Sequence, residues 1–222
     1  MKKLLCLTAL LASTAHADTL YGLYVDANYW HASNETTQNN TNTKHKDGGQ
    51  LMVSASLEHG VPFVPNARVH HVSLDSTEKT TDIKHDLSST DVIAYYELLD
   101  NMVNLDVGLG AKILEGEIEG KNTDSTTDLS KTLPMAYVSA GVKLPLTGLS
   151  AKAEVGVAHN NKYKATDAQA EIKYNFIDKA FIDVGGKLGY RMINIEADKL
   201  LKDDSDYKNE FKGPYAGLEI HF

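Results

Sequence analysis

An all-β fold is the class that this sequence of 222 residues predicts, on three observations. Apolar residues alternate with polar ones over segments of about ten residues, as in transmembrane strands with one face toward lipid and the other toward a lumen. The connections between these segments alternate between short and long ones. No stretch after Ala17 is apolar for long enough to form a transmembrane helix. Together these patterns predict an up-and-down, antiparallel transmembrane β-barrel of ten strands.

The clearest predicted strand covers residues 103–113. Its odd positions are all valine, leucine, alanine or isoleucine, and its even positions are asparagine, aspartate, glycine and lysine. A helix would repeat its apolar positions every three or four residues instead. The range 66–74 is the weakest strand, because His71 and Ser73 would face lipid. The remaining eight strands show the same alternation and cover residues 21–29, 51–58, 92–98, 136–143, 149–157, 168–176, 182–192 and 214–222.

The lengths of the connections support a barrel with both ends of the chain on the periplasmic side. The short connections would be periplasmic turns and the long polar ones extracellular loops. A soluble β-sandwich shares the alternation but does not require this rhythm, and it remains the alternative. The short connections lie near residues 60–66, 99–102, 145–148 and 177–180, and the long ones near 33–48, 75–89, 115–131, 159–166 and 196–209.

The first 17 residues predict a secretory signal peptide. Lys2 and Lys3 precede the apolar stretch 4–12, and Ala15-His16-Ala17 gives a small-residue cleavage pattern. We therefore expect cleavage after Ala17, a single barrel domain over residues 18–222, and a location in the outer membrane of a Gram-negative bacterium. A membrane anchor is the alternative, and the shortness of the apolar stretch argues against it. Cys6 would leave with the signal, so no cysteine would remain for a disulfide or a nucleophile.

The charge balance of the chain argues against nucleic-acid binding. The whole chain carries a net charge of −8, and without Lys2 and Lys3 the mature chain would have 20 basic and 30 acidic residues, a net charge of −10. Contacts with phosphates require clustered lysine and arginine, which an acidic chain does not favour. We expect no nucleic-acid partner.

Five segments of the chain resemble a poorly characterised proteobacterial family of outer-membrane β-barrel proteins. They read LEHGVPFVPN (57–66), YYELLDN (95–101), LPLTGLS (144–150), FKGPY (211–215) and HF (221–222). The resemblance implies an outer-membrane barrel, but it brings no established activity and no catalytic residues. Phe222 is similar to the terminal aromatic residue read by the outer-membrane assembly machinery. That machinery and periplasmic chaperones are therefore the partners expected during biogenesis.

Charged residues of both signs occupy the face that the alternation turns toward the lumen. A ten-stranded barrel has a narrow bore, and isolated charges in its interior would be costly, so we expect a network of ion pairs rather than a wide pore. Inward glycines at 108, 110, 185, 189 and 217 would leave room for longer side chains opposite. The expected lumen network consists of Asp26, Glu58, Arg68, Glu97, Asp106, Lys112, Lys143, Lys152, Glu154, Glu171, Lys173, Asp183, Lys187, Arg191 and Glu219.

Aromatic residues gather near the predicted strand ends, as in the girdles that flank the apolar band of a membrane barrel. Tyr29 and Trp30 fall near the extracellular rim. The periplasmic rim would carry Tyr21, Tyr174, Phe176, Phe181 and Phe222.

The candidate catalytic and metal-binding residues do not form a recognisable site. Ten strands also characterise the omptin proteases, but the histidines at 31, 70, 71 and 159, with Asp75, show no spacing of nucleophile, base and orienting acid. The acidic loop 198–210 lacks the ligand spacing of an EF-hand and is interspersed with lysines. We therefore expect no catalytic residue, no cofactor and no metal. The carboxylates of this loop, which could otherwise suit Ca²⁺, are Asp198, Asp203, Asp204, Asp206 and Glu210.

These patterns favour a non-enzymatic, monomeric barrel with a structural or surface-interaction role. Its expected partners are the lipid of the outer membrane and lipopolysaccharide, which would contact its rim. A porin-like narrow channel for ions or small solutes is the alternative, with the inward charges as selectivity groups. A surface hydrolase is the third hypothesis.

Overall fold

The computed structural model of the protein describes residues 21–38, 41–79, 84–119, 126–128, 130–179, 182–197 and 207–222. The predicted signal peptide, with its cleavage position, lies outside these residues. None of the described residues belongs to a helix long and apolar enough to cross a membrane. The chain is all-β, as the alternation predicts.

Ten long strands pair in chain order and close into a barrel. Each is antiparallel to its neighbours, and the first strand pairs with the last, so the up-and-down topology is confirmed. The strands are β1 (Tyr21–Gln38), β3 (Gly48–His59), β4 (Asn66–Ser73), β6 (Lys84–Asp100), β7 (Val103–Glu119), β9 (Lys131–Leu144), β10 (Leu149–His159), β11 (Tyr163–Lys179), β12 (Ile182–Ala197) and β13 (Tyr207–His221).

The two ends of the barrel differ in their connections. At one end, which we call the tight-turn end, short connections join β3 to β4, β6 to β7 and β9 to β10. At the other, the long-connection end, several strands run well beyond the predicted ranges, since β1 continues to Gln38 and β6 begins at Lys84. Three short strands pair there with the ends of β1, β6 and β7, namely β2 (Thr41–Lys44), β5 (Ser76–Thr77) and β8 (Thr126–Asp128).

The outer surface of the barrel carries an apolar belt. Leu109 is 73% exposed and Leu188 68%, although both are large aliphatic residues. A continuous apolar surface of this kind does not suit water and is the lipid-facing band of a membrane barrel. Every long strand contributes at least one exposed apolar residue to this belt, including Leu23, Val53, Val69, Val92, Leu109, Val138, Val155, Ile172, Leu188 and Leu218.

The strand that the sequence predicts most weakly is present as β4. Its outward-facing His71 is only half-buried, and the Nδ1 of that ring lies 2.9 Å from the hydroxyl oxygen of Thr90. Thr90 is the residue paired with His71 on β6. Two polar groups on the outward face therefore satisfy each other, which is why the interrupted alternation is tolerated.

The aromatic residues occupy the expected rims with one exception. Tyr21, Tyr174, Phe176 and Phe222 are exposed at the tight-turn end, and Tyr29 is exposed on the opposite side of the belt. The placement of Trp30 in the girdle is wrong. Outward and inward positions alternate along β1, so Trp30 faces inward beside outward Tyr29, and its side chain is fully buried. Phe181 lies outside the described residues.

Candidate functional site: the barrel lumen

The lumen contains three layers of inward-facing side chains, stacked from the tight-turn end to the long-connection end. The first is a polar vestibule, the second a network of ion pairs, and the third an apolar plug, beyond which buried polar residues such as Asn34 and Asn209 follow. The layers arise because inward positions recur at every second residue along each strand and the paired register sets them side by side.

The vestibule is a cavity of about 130 Å³ at the tight-turn end. Glu58 accepts a hydrogen bond of 2.8 Å from the Tyr95 hydroxyl, and Glu97 accepts one of 3.1 Å from the Asn66 amide. Further wall residues include Asp100, Asp106, Lys143 and Lys152. Carboxylates outnumber cations along this wall, so the vestibule is a polar, net-acidic chamber.

Lys187 is the centre of the first part of the ion-pair network. Its Nζ lies 3.1 Å from Glu171, 3.4 Å from Glu219 and 3.6 Å from Asp26. Lys173 adds a second cation to Glu219, at 2.6 Å. The ammonium group of Lys187 is buried, and three carboxylates around it compensate for the water that it loses.

Glu154 is the centre of the second part. Its carboxylate forms ion pairs with Arg68 and with Lys152, the latter at 2.9 Å. It also accepts hydrogen bonds from the Tyr137 hydroxyl, at 2.9 Å, and from the Gln169 amide. A buried carboxylate with this many donors is held in one position, and it joins β4 to the opposite wall of the barrel at β9, β10 and β11.

Lys112, Arg191, Asp91 and Asp167 form the third part. The Nζ of Lys112 lies 2.7 Å from Asp91 and 3.2 Å from Asp167. Arg191 donates two hydrogen bonds to Asp167, from Nε at 2.9 Å and from Nη2 at 2.6 Å. The two cations are 0% and 1% exposed, so these pairs are fully removed from water. The fork geometry of the guanidinium suits this bidentate contact.

The predicted network does not include Asp91 and Asp167, although the sequence pattern could have revealed both. The predicted strands began at residues 92 and 168, one residue after each aspartate, and extending the alternation by one position would have placed both carboxylates inward. The Nε2 of His70 lies 2.9 Å from Nη1 of Arg191. Because a guanidinium has only donors, that histidine nitrogen is the acceptor.

Ten of the fifteen predicted lumen residues belong to these three ion-pair groups, and five do not. Glu58, Glu97 and Asp106 line the vestibule without an ion pair among the described residues. Lys143 lies 3.7 Å from Asp100, and both side chains are exposed at the rim. Asp183 lies 3.3 Å from the Nδ1 of His221. The residues of the three groups are Asp26, Arg68, Lys112, Lys152, Glu154, Glu171, Lys173, Lys187, Arg191 and Glu219.

Two apolar clusters fill the lumen nearer the long-connection end, and the alternation pattern did not predict them. The first includes Trp30, Met52, Val72, Ile193 and Phe211. The second includes Ile93, Leu114, Leu133, Met135 and Ala165. Trp30, Leu133, Ile193 and Phe211 have no exposed surface.

Trp30 of the apolar plug contacts the ion-pair network beside it. The indole Nε1 donates a hydrogen bond of 2.9 Å to the Gly213 carbonyl, and the guanidinium of Arg191 lies 5.6 Å from the centre of the indole ring. A cation at this distance from an aromatic face is attracted to it. The plug and the network therefore form one continuous packing across the bore.

One of the inward glycines makes room for a long side chain, as expected from the sequence. A Cβ at Gly189 would overlap the ring of Tyr215 and would stand 2.6 Å from the Ala170 carbonyl oxygen. The Tyr215 hydroxyl donates a hydrogen bond of 2.7 Å to Glu171. The absence of a side chain at position 189 lets this tyrosine reach the Lys187 group.

The candidate catalytic histidines lie in different environments. His70 is inside the barrel, His71 faces outward, and His31 and His159 are exposed on the outer surface near the long-connection end. The described residues contain no group of three or more potential metal ligands. Residues 198–206 of the acidic loop lie outside the described residues, and Glu210 pairs with Lys212 at 2.5 Å.

Comparisons with known proteins reveal likeness in structure alone. No family model and no curated protein matches the chain. The outer membrane protease OmpT of Escherichia coli is similar over 95% of this chain and all of that one, with 9% identity and a TM-score of 0.56. Neisserial surface protein A (NspA) has 14% identity and a TM-score of 0.41, over 92% of this chain and 98% of that one. The β domain of the Bordetella autotransporter BrkA has 13% identity and a TM-score of 0.45, over 91% and 98%. At 9% identity, the OmpT match shows a shared barrel fold and nothing about activity.

Proposed function

We propose that this protein is a monomeric outer-membrane barrel with a sealed lumen, and that its role is structural or one of surface interaction rather than catalysis. The observation that carries the proposal is the burial of the side chains that cross the bore. Lys112, Arg191, Trp30, Leu133 and Phe211 all have essentially no exposed surface. A conducting pore would need water along its whole length, and the small cavity of about 20 Å³ within the ion-pair layer is far from a continuous path through these layers.

The location in the outer membrane is supported by two further features. The apolar belt surrounds all ten strands, and the outward positions become polar beyond it, where Tyr29 is followed by His31, Met192 by Asn194 and Pro214 by Lys212. The fold is shared with an outer-membrane protein. The predicted signal peptide fits export, and the resemblance to a proteobacterial barrel family stays a prediction.

The lipid of the outer membrane would contact the belt, and lipopolysaccharide the rim at the long-connection end. Lys164, Lys208 and Lys212 face outward at that rim, next to Glu196 and Glu210. Ammonium groups just beyond the belt are placed to meet phosphate groups of a lipid headgroup. The assembly machinery would read Phe222, which is exposed on the lipid side.

A narrow channel for ions or small solutes is the second candidate, and the vestibule favours it. A charged chamber of about 130 Å³ at one end is the entrance that such a channel would have. Conduction would require the apolar plug to move, because Trp30 and Phe211 close the path beyond the network.

Planar-bilayer conductance of the purified protein tests the sealed lumen. We expect no stepwise openings from the parent protein. The triple variant Trp30→Ala, Leu133→Ala, Phe211→Ala removes three fully buried side chains from the two clusters. Water that fills the emptied space would reach and hydrate the charges of Lys112 and Arg191, and we therefore expect this variant to conduct. Stepwise openings from the parent would favour the channel instead.

The matched control for this experiment is a second triple variant that changes the lipid face alone. Leu109→Ala, Ile172→Ala and Leu188→Ala remove three large side chains that are exposed on the belt. This control should show no stepwise openings, because none of the three side chains faces the bore. Openings from the control as well would mean that truncating large side chains perturbs the barrel wherever they lie, and would remove the support for the plug.

A further inference from the structure

Two connections at the tight-turn end expose apolar residues beyond the belt. Residues 60–65 read GVPFVP and residues 145–148 read PLTG, so neither turn contains a charged residue. Phe63 is 95% exposed and Leu146 is fully exposed, more than any other large apolar residue of the described chain. Turns that face water normally carry polar residues at their tips.

The backbone at both tips has a conformation that side chains of this kind rarely adopt. The φ angle is 64° at Phe63 and 66° at Leu146, in the left-handed region where glycine or asparagine is the usual residue. Large apolar side chains at these two positions therefore work against the local backbone preference. A contact made by those side chains would explain their presence.

The turn that carries Phe63 lies against the outer wall of the barrel rather than across its mouth. The hydroxyl of Tyr96 donates a hydrogen bond of 3.0 Å to the Phe63 carbonyl oxygen. Tyr96 is exposed on the outward face of β6, next to inward Tyr95. This bond places the tip on the side of the barrel where lipid would be.

The turn that carries Leu146 also lies beside an outward tyrosine, although the contacts differ. The backbone amide of Asn175 donates a hydrogen bond of 2.9 Å to the Gly148 carbonyl, and a Cβ at Gly148 would stand 3.4 Å from the ring of Tyr174. Tyr174 is exposed on the outward face of β11. Each apolar tip thus lies beside an outward tyrosine, the residue type that prefers the boundary between membrane and water.

A third connection between the two tips exposes apolar residues on its outward side, although it also contains Asp100. The connection from β6 to β7 lies between them in the strand order and exposes Leu98, Met102 and Val103. Where β11 approaches β12, Phe176 and Ile177 are exposed as well, but the charged residues Asp178 and Lys179 follow them at the described end of β11. Among the described residues, the turn tips without a charge therefore lie on the side of the barrel from β3 to β10, where their apolar surface is continuous with the lipid-facing belt.

We propose that Phe63, Leu98, Met102 and Leu146 form a lipid-binding arc that inserts into the headgroup–acyl boundary of the leaflet at the tight-turn end. The occupant of this surface is phospholipid, because the arc continues the belt and contains no charge at its two tips. The barrel then sits deeper in that leaflet along β3 to β10 than where β11 meets β12. This inference rests on the proposed membrane location.

Quenching of tryptophan fluorescence by brominated lipid tests the arc. Phe63→Trp, Leu146→Trp and Val64→Trp place a reporter in the turns, Leu109→Trp places one in the belt, and Lys179→Trp is the control at the charged turn. The chain has one native tryptophan, Trp30, which is buried in the lumen, and the emission of the parent protein supplies its background. Each variant is refolded into phosphatidylcholine vesicles with and without bromine near the headgroup end of the acyl chains.

We expect the bromine to lower the emission of the turn reporters about two-fold, in line with the interfacial preference of aromatic residues. The reporter at 179 should keep its emission and be quenched by aqueous acrylamide instead. Turn reporters that respond like the one at 179, while the belt reporter is quenched, would overturn the arc and leave the membrane location intact. Equal lipid quenching at 63, 146 and 179 would overturn the inference that the barrel sits deeper in the leaflet along β3 to β10. No lipid quenching at 109 would overturn the membrane location itself.

Discussion

Single buried charges in the lumen are held by several partners each. Glu154 receives two cations and two neutral donors, and Lys187 is surrounded by three carboxylates. Removing one member of such a group leaves its partners charged and away from water, which costs far more than the loss of an exposed pair. The cost of a change at one residue therefore depends on the layer in which it lies.

We predict that Glu154→Gln lowers the free energy of unfolding by about 3–5 kcal/mol, because Arg68 and Lys152 lose their common carboxylate. Urea unfolding of the vesicle-embedded protein measures this change. The matched control is Glu196→Gln, in an exposed pair with Lys164 at 3.8 Å, and it should cost less than about 1 kcal/mol. Similar losses from the two variants would contradict the buried network.

At the scale of the strand, alternation predicted the existence and the order of all ten barrel strands. It did not predict their full length, because the outer parts of β1 and β6 are mostly polar and the outer part of β7, which reads LEGEIE, has glutamate where a lipid-facing residue would be apolar. Hydrogen bonding between strands does not depend on side-chain polarity. The short strands β2, β5 and β8 consist of polar residues, so the alternation does not predict them either. Apolar residues at every second position reveal only the part of each strand that has lipid on one side.

The seam between β1 and β13 is where the barrel closes. The amide of Phe222 donates a hydrogen bond of 2.9 Å to the Leu23 carbonyl, and the Leu23 amide donates one of 3.1 Å in return. The phenyl ring does not take part in these bonds and is 53% exposed toward the lipid side. Its role in closure would therefore concern recognition during assembly more than stability.

We predict that Phe222→Ala reduces the amount of folded barrel in the outer membrane of cells several-fold, while refolding of the purified protein into vesicles changes little. Heat-modifiable migration on gels measures the folded fraction in both settings. Leu218→Ala is the matched control, because Leu218 is exposed to the same degree on the strand that ends beside Phe222. An equal loss from both variants in cells would argue against Phe222 as the assembly signal.

At the scale of the whole molecule, the lumen is polar at the tight-turn end and apolar near the long-connection end. The inward charges could be read from the sequence, because they fall inside the predicted strands. The apolar plug was harder to predict, since Trp30 and Leu133 lie just outside the predicted ranges. Only the closed barrel brings Trp30 into one cluster with Phe211, and Leu133 into one with Ile93 and Ala165. Sealing is therefore a property of the assembled barrel rather than of any one segment.

Potassium efflux from vesicles that contain the refolded protein tests the sealed barrel most directly. The bore is crossed by Lys112 and Arg191 in one layer and by Trp30, Leu133 and Phe211 in the next, all of them buried. We predict that vesicles with many barrels each lose potassium no faster than protein-free vesicles of the same lipid. An efflux rate that rises in proportion to the number of barrels per vesicle would contradict the sealed lumen.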